Sequence, residues 1–326
     1  MSVEAFAFAL PSVRHSAADL AAQTGADETF ITEKVGVATR YILGPGETGI
    51  GLSTAACKAL MAQRPDLAGQ IDLLVCVTQT PDRRLPQNSA GIAAELGLPP
   101  SVASFDIALG CSGYVYGLVA TESFLAAIGG RVAVLVTCDP YSRIIDPADK
   151  DTNCVFGDAA TATFIQAQGP RGRILATDFG TDGASGGAIA IPAGGAARPL
   201  VGTAAAEATA DDLRLHMQGR AVFNFVNSVV PQSISRALEK AGLTLDDIDF
   251  FALHQGSVYM LDAMARRVGI PPEKLLKNMS RYGNTVSSSI PLLLSELDAE
   301  GRLSGKRVLM SGFGVGLSWA SAVIQF

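Results

Sequence analysis

The fold is decided by the stretch Gln70-IDLLVCVTQT, which returns in the second half of the chain as Asp247-IDFFALHQGS, with Asp72 matching Asp249. Each copy is an apolar run of strand length that ends in polar residues. Continuous apolar runs of this length are typical of strands that are buried on both faces of a sheet. The pair therefore predicts two related buried strands, the first of them at Ile71–Val77.

Two more pairs of apolar runs recur in the same order, Arg131-VAVLVT with Arg307-VLMSGF and Ala160-TATFIQ with Ala320-SAVIQF. In each half a Gly-rich turn opens a helical pattern, at Leu109-GCSGYVYGL and at Tyr282-GNTVSSSIPLLL. Chance explains any one match between apolar strands, but it explains three ordered matches poorly. We therefore predict an α/β protein made of two copies of one unit, residues 1–170 and 171–326. The Gly/Ala-rich stretch Gly183–Ala210 is predicted to be a linking loop or lid, because it has too few large apolar residues to build a core.

The composition excludes several classes of protein. Of the 326 residues, 48% are hydrophobic and 17% are charged, which excludes a disordered chain. The formal net charge of -6 argues against partners such as nucleic acid or a membrane surface, and no apolar run reaches the roughly 18–20 residues that span a bilayer. The 5 cysteines form no CxxC pair and no metal-ligand spacing with the 3 histidines. Together with an N-terminus that makes a poor signal peptide, MSVEAFAFALP, this predicts a cytoplasmic protein with reduced thiols and no metal site.

Cys111 is the first candidate for a chemical role. It lies between Gly110 and Gly113, after a strand-like run and just before a helical pattern. A thiol at the N-terminus of a helix is close to unpaired backbone N–H groups and to the positive end of the helix dipole, and both lower its pKa. Cys111 is therefore a candidate nucleophile, although most cysteines are simply small buried hydrophobic residues.

His254 and Asn284 are the other two candidates. His254 ends a buried strand pattern, and α/β sheets bind ligands at the carboxyl ends of their strands. Asn284 opens the second-half helix at the position that corresponds to Cys111. The alternatives are a buried structural histidine and an ordinary helix N-cap. If the two halves are related by a pseudo-twofold axis, however, the turns of Cys111 and Asn284 face each other across a cleft that His254 also reaches.

Five segments together resemble the β-ketoacyl-acyl-carrier-protein synthase III family of thiolase-like condensing enzymes: Asp106-IALGCSGYVYGL, Asn153-CVFGDAATA, Leu253-HQGS, Tyr282-GNTVSSS and Ser311-GFGVGLSWA. The resemblance begins near Ala26-DETFITEKVGVATRYI, runs almost to the end of the chain and keeps the family's order. It implies a duplicated, five-layered αβαβα fold and a homodimer.

The resemblance also implies a reaction. Cys111 would accept an acyl group from a thioester of CoA or of an acyl-carrier protein, and a malonyl thioester would then lose CO₂. His254 and Asn284 would donate hydrogen bonds to the enolate oxygen, while the backbone N–H groups of Cys111 and Val315 would stabilise the oxyanion of acyl transfer. The thioesters of CoA or carrier protein are substrates, and no metal or redox cofactor is implied.

The chain departs from the family at positions that contact substrate. Phe30 and Lys150 stand where a tryptophan and an arginine usually hold the CoA adenine, and Lys34 replaces an arginine near the phosphates. Lysine cannot stack as a planar guanidinium does. Leu85 stands where an aromatic residue from the partner subunit often closes the acyl pocket, and Val315 replaces the central glycine of the last turn. These departures favour a carrier-bound or unusual acyl donor and a specialised pathway.

A basic pair, Arg266 and Arg267, matches the family's docking site for an acidic carrier protein, although a solvated helix face explains these arginines nearly as well. Tyr259 replaces a further arginine closer to His254. The leading hypothesis is thus a synthase III that makes a 3-oxoacyl thioester. The alternatives are an acyltransferase with an alcohol or amine acceptor and a non-catalytic partner subunit.

Overall fold

The computed structural model describes residues 2–202 and 207–326 and shows an α/β fold. Its strands are β1 (Ser2–Ala9), β2 (Val13–Ser16), β3 (Thr39–Ile42), β4 (Ile71–Val77), β5 (Ala103–Ile107), β6 (Val132–Cys138), β7 (Ala160–Gln166), β8 (Arg173–Thr181), β9 (Ile189–Ala190), β10 (His216–Met217), β11 (Phe250–Leu253), β12 (Arg307–Gly314) and β13 (Ser318–Gln325). Its α-helices are α1 (Ala17–Thr24), α2 (Gly49–Gln63), α3 (Pro65–Ala68), α4 (Asn88–Glu95), α5 (Gly113–Ala127), α6 (Lys150–Asn153), α7 (Gly219–Ala241), α8 (Val258–Val268), α9 (Met279–Tyr282) and α10 (Ser289–Ala299). None of the helices in this described part of the chain combines the length and the apolar character needed to cross a membrane.

Most of these strands form two sheets, and the four strands of the second repeat the order of four of the five strands of the first. In the first sheet the order is β1-β7-β6-β4-β5, in which β1 and β6 are both antiparallel to β7, and β6, β4 and β5 are parallel. In the second sheet the order is β8-β13-β12-β11, again with two antiparallel pairs followed by a parallel pair. The three pairs of apolar runs in the sequence therefore occupy equivalent places: β4 and β11, β6 and β12, β7 and β13.

The Gly/Ala-rich stretch Gly183–Ala210 does not link the two sheets, so that prediction was wrong. It follows β8, which already belongs to the second sheet. The chain passes from one sheet to the other between Gln166 and Arg173, and the boundary that we propose for the two halves lies in this segment. The stretch starts with a helical turn, Gly183–Ala188, and with β9, which pairs with β10. Its residues 203–206 lie outside the described residues.

Helices cover both faces of both sheets, which gives five layers. α2 and α4 pack apolar side chains such as Leu60 and Ile92 against the outer face of the first sheet. α5 and α10 lie between the sheets, where Leu118 and Leu294 share one core with both of them. α7 and α8 cover the outer face of the second sheet in a core that includes Phe251. The predicted αβαβα fold is confirmed.

The turn that starts α5 is packed directly against strand β12. A Cβ atom built on Gly312 would lie 2.5 Å from the carbonyl oxygen of Cys111 and 2.8 Å from the Cα atom of Ser112. Carbon atoms do not approach backbone this closely, so only glycine permits the contact. The hydroxyl oxygens of Ser112 and Ser318 are 2.8 Å apart, which adds a hydrogen bond from the same turn to β13, the strand next to β12. Cys111 is therefore held at the contact between the first and the second half.

The variant Gly312→Ala is expected to destabilise the protein by about 1–3 kcal/mol, because the added methyl group would overpack backbone that cannot move away. The free energy of unfolding is measured by urea denaturation followed by circular dichroism. Gly183→Ala is the matched control, since a Cβ atom at Gly183 would meet nothing within 4 Å. Equal stability of the two variants would contradict this close packing.

Candidate active site

A cavity of about 430 Å³ brings together Cys111, His254 and Asn284, the three residues singled out in the sequence. Cys111 comes from the start of α5, His254 from the end of β11 and Asn284 from the turn before α10. The other residues that line the cavity are Tyr141, Val155, Phe156, Ile189, Met217, Gly219, Arg220, Val222, Phe223, Val226, Gly256, Ser257, Tyr259, Met260, Phe313, Gly314 and Val315. Most of them are apolar, so little in the wall competes with the three candidates for a polar substrate group.

Cys111 lies in the turn between β5 and α5 and is only 7% exposed. Two backbone N–H groups, its own and that of Val315, act on its sulfur and favour the thiolate form. These are the N–H groups expected to stabilise an oxyanion at this place. Val315 itself also lines the cavity.

The pKa of the Cys111 thiol is raised to about 12, first by burial and then by the charge of Asp139, while the two N–H groups lower it in part. The prediction of a lowered pKa was therefore wrong. The start of α5 does favour the thiolate, but the surrounding protein removes water from the sulfur, and this loss of solvation is the larger effect. Cys111 is a neutral thiol at neutral pH.

Asp139 is a buried carboxyl group that sequence reasoning missed. It directly follows β6, and its Oδ1 accepts the backbone N–H of Gln79 at 2.6 Å, while its Oδ2 accepts the hydroxyl of Ser287. It thus ties the strand ends of the first sheet to the turn that carries Asn284. Burial raises the pKa of Asp139 to about 6, so at higher pH its negative charge acts on Cys111. Its place directly after a buried strand was the signal that could have found it.

His254 directly follows β11 and is 3% exposed. Its Nδ1 lies 2.8 Å from the hydroxyl oxygen of Ser289, and its ring meets Phe313 edge to face, with ring centroids 5.4 Å apart. Burial lowers the pKa of His254 to about 3, although the nearby backbone of Val286, which stabilises the protonated form of the ring, raises it in part. The imidazole is therefore neutral near pH 7 and carries a proton on only one of its two nitrogens.

Asn284 is fixed through both its side chain and its backbone. Its Oδ1 accepts the N–H of Val286 at 2.9 Å, directly before the helical turn Val286–Ser288, and this leaves the amide nitrogen available as a donor. Its backbone N–H donates to the Val155 carbonyl at 2.8 Å, and its carbonyl accepts the N–H of Gly157 at 3.0 Å. The alternative of an ordinary helix N-cap is wrong, because the N-cap of this turn is Thr285 and no side chain caps it, whereas Asn284 lines the cavity.

The residues predicted to bind substrate at the family's CoA site do not line the cavity. Phe30 and Lys34 lie on a π-helical turn, Phe30–Val35, and Lys150 opens α6. Phe30 is 42% exposed, and both lysines are exposed. Leu85 lies in the loop before α4, is 85% exposed and does not line the cavity either. Their roles in binding stay predictions.

Part of the cavity wall comes from a segment that the sequence did not single out. Met217 of β10 and Gly219, Arg220 and Phe223 of α7 line the cavity, and Arg220 is the one lysine or arginine among the described lining residues. Phe223 stacks on Tyr259 of α8 with ring centroids 5.6 Å apart. No motif marks this segment, because the pairing of β10 with β9 brings it to the site.

Comparison with known proteins points to one family. The family model of 3-oxoacyl-[acyl-carrier-protein (ACP)] synthase III matches residues 105–183, and the model of its C-terminal part matches residues 238–326. The β-ketoacyl-[acyl-carrier-protein] synthase III of Symbiobacterium thermophilum is 34% identical over 94% of this chain and 92% of that protein. The chain belongs to the 3-oxoacyl-[acyl-carrier-protein] synthase III family.

Solved structures agree with this assignment. A crystal structure of a 3-oxoacyl-(acyl-carrier-protein) synthase III has a TM-score of 0.93 and 36% identity to this synthase III, covering 100% of this chain and 99% of that chain. The synthase III of Thermus thermophilus has a TM-score of 0.91 and 31% identity, with the same coverage of 100% and 99%. The family resemblance predicted from the motifs is confirmed, together with the thiolase-like fold.

The variant Asp139→Asn is expected to lower the pKa of Cys111, because it removes a negative charge and keeps the size of the side chain. The carboxyl of Asp139, with its pKa of about 6, is ionised above neutral pH. Iodoacetamide should therefore alkylate Cys111 in the variant faster than in the wild type at all pH values from about 7 to 10. Alkylation is followed by peptide mass spectrometry.

Asp106→Asn is the control for this experiment. Asp106 lies on the neighbouring strand β5, and its charge acts on Cys76 instead of Cys111. Its replacement should leave the alkylation of Cys111 unchanged. If Asp139→Asn reacted no faster than this control, the charge of Asp139 would not govern the thiol.

Proposed function

We propose that this protein catalyses a decarboxylative Claisen condensation, in which an acyl thioester and a malonyl thioester give a 3-oxoacyl thioester and CO₂. The observation that carries this proposal is a thiol, Cys111, that lines one apolar cavity together with the neutral imidazole of His254 and the amide of Asn284. The reaction builds negative charge on an oxygen, and donors that are fixed beforehand in a site without water stabilise such charge strongly. Membership of the synthase III family supports the same reaction.

In the first half-reaction the sulfur of Cys111 attacks the carbonyl carbon of the acyl donor. A sulfur–carbon bond forms, the bond to the donor's own sulfur breaks, and the thiol proton passes to the leaving thiolate. The N–H groups of Cys111 and Val315 stabilise the oxyanion between these steps. With a thiol pKa of about 12, the proton leaves as the new bond forms and not before it.

In the second half-reaction the malonyl thioester loses CO₂, and the electron pair of the broken bond forms an enolate. His254 and Asn284 donate hydrogen bonds to the enolate oxygen, and the enolate carbon attacks the acyl carbon on Cys111. The 3-oxoacyl thioester is released, and the sulfur of Cys111 takes up a proton from solvent. With its pKa lowered to about 3, His254 acts here as a neutral donor.

Two variants are expected to separate these half-reactions. Cys111→Ala should give no 3-oxoacyl product but still decarboxylate malonyl-carrier protein, because both enolate donors remain. His254→Ala should still be acylated on Cys111, yet lose decarboxylation by about 100- to 1000-fold, the usual cost of one oxyanion donor. Release of labelled CO₂ and the intact mass of the protein measure the two steps. Condensation by Cys111→Ala would refute the proposal, and acyl transfer to an alcohol or amine without CO₂ release would favour the acyltransferase alternative.

We propose an acyl-carrier protein as the partner that delivers substrate, with Arg266 and Arg267 as its docking site. Both arginines are exposed in the last turn of α8. The same helix supplies Tyr259 and Met260 to the cavity wall, so a partner bound to α8 contacts an element of the site. A basic pair attracts an acidic carrier despite the net charge of -6.

Reversal of both charges, Arg266→Glu with Arg267→Glu, is expected to raise the KM for a carrier-protein substrate about tenfold or more and to leave the KM for the same acyl group on CoA unchanged. The effect should shrink with added salt, because exposed charges are screened. Lys58→Glu is the control, since Lys58 is exposed on α2 in the opposite outer layer. An equal loss with both substrates would argue against docking at this pair.

We also propose that the protein is a homodimer. Strand β5 is the last strand of the first sheet in the described chain, so it offers an edge for pairing, and Leu85 is 85% exposed. Family membership supports this assembly, which light scattering tests directly, because the mass of a single chain would contradict it. The cytoplasmic location and the specialised pathway stay predictions.

A further inference from the structure

The neutral ring of His254 carries one proton, and the position of that proton decides what the ring offers to a substrate. Nδ1 lies 2.8 Å from the hydroxyl oxygen of Ser289, which is 2% exposed and starts α10. A proton on Nδ1 leaves a lone pair on Nε2, whereas a lone pair on Nδ1 leaves an N–H at Nε2. The residue that faces Nδ1 therefore controls whether Nε2 accepts or donates.

The hydroxyl of Ser289 has two acceptors within reach. Its oxygen is 2.9 Å from the carbonyl oxygen of Val286 and 2.8 Å from Nδ1 of His254. The Val286 carbonyl already accepts the backbone N–H of Ser289, at the end of the turn Val286–Ser288. It does not depend on the hydroxyl proton, which is thus available to Nδ1. In the opposite arrangement, Nδ1–H donates to Ser289 or to Val286, and Nε2 then presents only a lone pair.

We propose that Ser289 is a positioning residue that donates a hydrogen bond to Nδ1 of His254 and so fixes the tautomer that carries its proton on Nε2. The inference rests on the proposed function, because the enolate oxygen needs donors and Asn284 supplies only one of the two. Ser289 makes no contact with the substrate in this role. It acts through the imidazole, and its own position is fixed at the start of α10.

The tautomer is measured in the resting wild-type protein by NMR with ¹⁵N-labelled histidine. The chain has only 3 histidines, so His254→Gln identifies the signals of His254. We expect an unprotonated Nδ1 and a protonated Nε2, which differ widely in ¹⁵N chemical shift. A proton on Nδ1 would overturn the proposal. This measurement needs no turnover, so it stands even if the proposed condensation fails.

The variant Ser289→Ala tests the control of the tautomer. Without the hydroxyl, the neighbouring acceptor is the backbone of Val286, so the proton is expected to move to Nδ1. Decarboxylation of malonyl-carrier protein should then fall about 10- to 100-fold, less than the loss of a whole donor, while Cys111 is still acylated at the wild-type rate. Ser289→Thr keeps the hydroxyl and should restore both the tautomer and the decarboxylation.

Ser288→Ala is the matched control, because Ser288 is a buried neighbour whose hydroxyl bonds Thr137 at 2.8 Å and the Ala159 carbonyl at 3.0 Å, and not His254. It removes the same group from the same segment and should leave the His254 tautomer as in the wild type. If Ser289→Ala and Ser288→Ala showed the same tautomer and the same decarboxylation rate, Ser289 would have only a structural role.

Discussion

The close approach of strand β12 to the Cys111 turn is the constraint on which the site depends. A Cβ atom on Gly314 would lie 2.8 Å from the sulfur of Cys111. The sulfur therefore packs directly against the backbone of a glycine from the other half of the chain. The same approach brings the N–H of Val315 to the sulfur. Neither half contains the complete set of groups, because Cys111 belongs to the first half and the candidate enolate donors belong to the second. The packing of the two halves therefore creates the site.

Burial at this contact sets the charges of the site. Loss of water raises the pKa of Cys111 to about 12 and lowers the pKa of His254 to about 3, so both groups are neutral over the whole range between. The neutral imidazole is held by Ser289 and the neutral amide by Val286, so both donors are fixed before the charge appears during the reaction. Asp139 is ionised at neutral pH, and its bonds to Gln79 and Ser287 join the strand ends of the first sheet to the turn that carries Asn284.

The sequence predicted what depends on local pattern and repetition. Strand β4 begins at Ile71 and ends at Val77 as predicted, because buried central strands are continuously apolar. The linking loop was placed wrongly because β8 is an edge strand of mostly half-buried residues, so its apolar signal is weak. The predicted direction of the pKa shift of Cys111 was also wrong. The helix start that lowers the pKa is visible in the sequence, but the burial that raises it comes from strands distant in the sequence. The cavity wall from β10 and α7 depends likewise on tertiary pairing.

The duplication also explains how one unit supplies different chemical groups to a single site. The register that matches Arg131 with Arg307 places Asp139 after β6 and Val315 after β12 at the same position. Both act on the pKa of Cys111 with opposite sign, since the Asp139 carboxylate disfavours the thiolate and the Val315 N–H favours it. A carboxylate at both positions would place two negative charges around the sulfur and oppose an oxyanion there. The backbone geometry can therefore be symmetric, while the side chains that follow the two equivalent strands must differ.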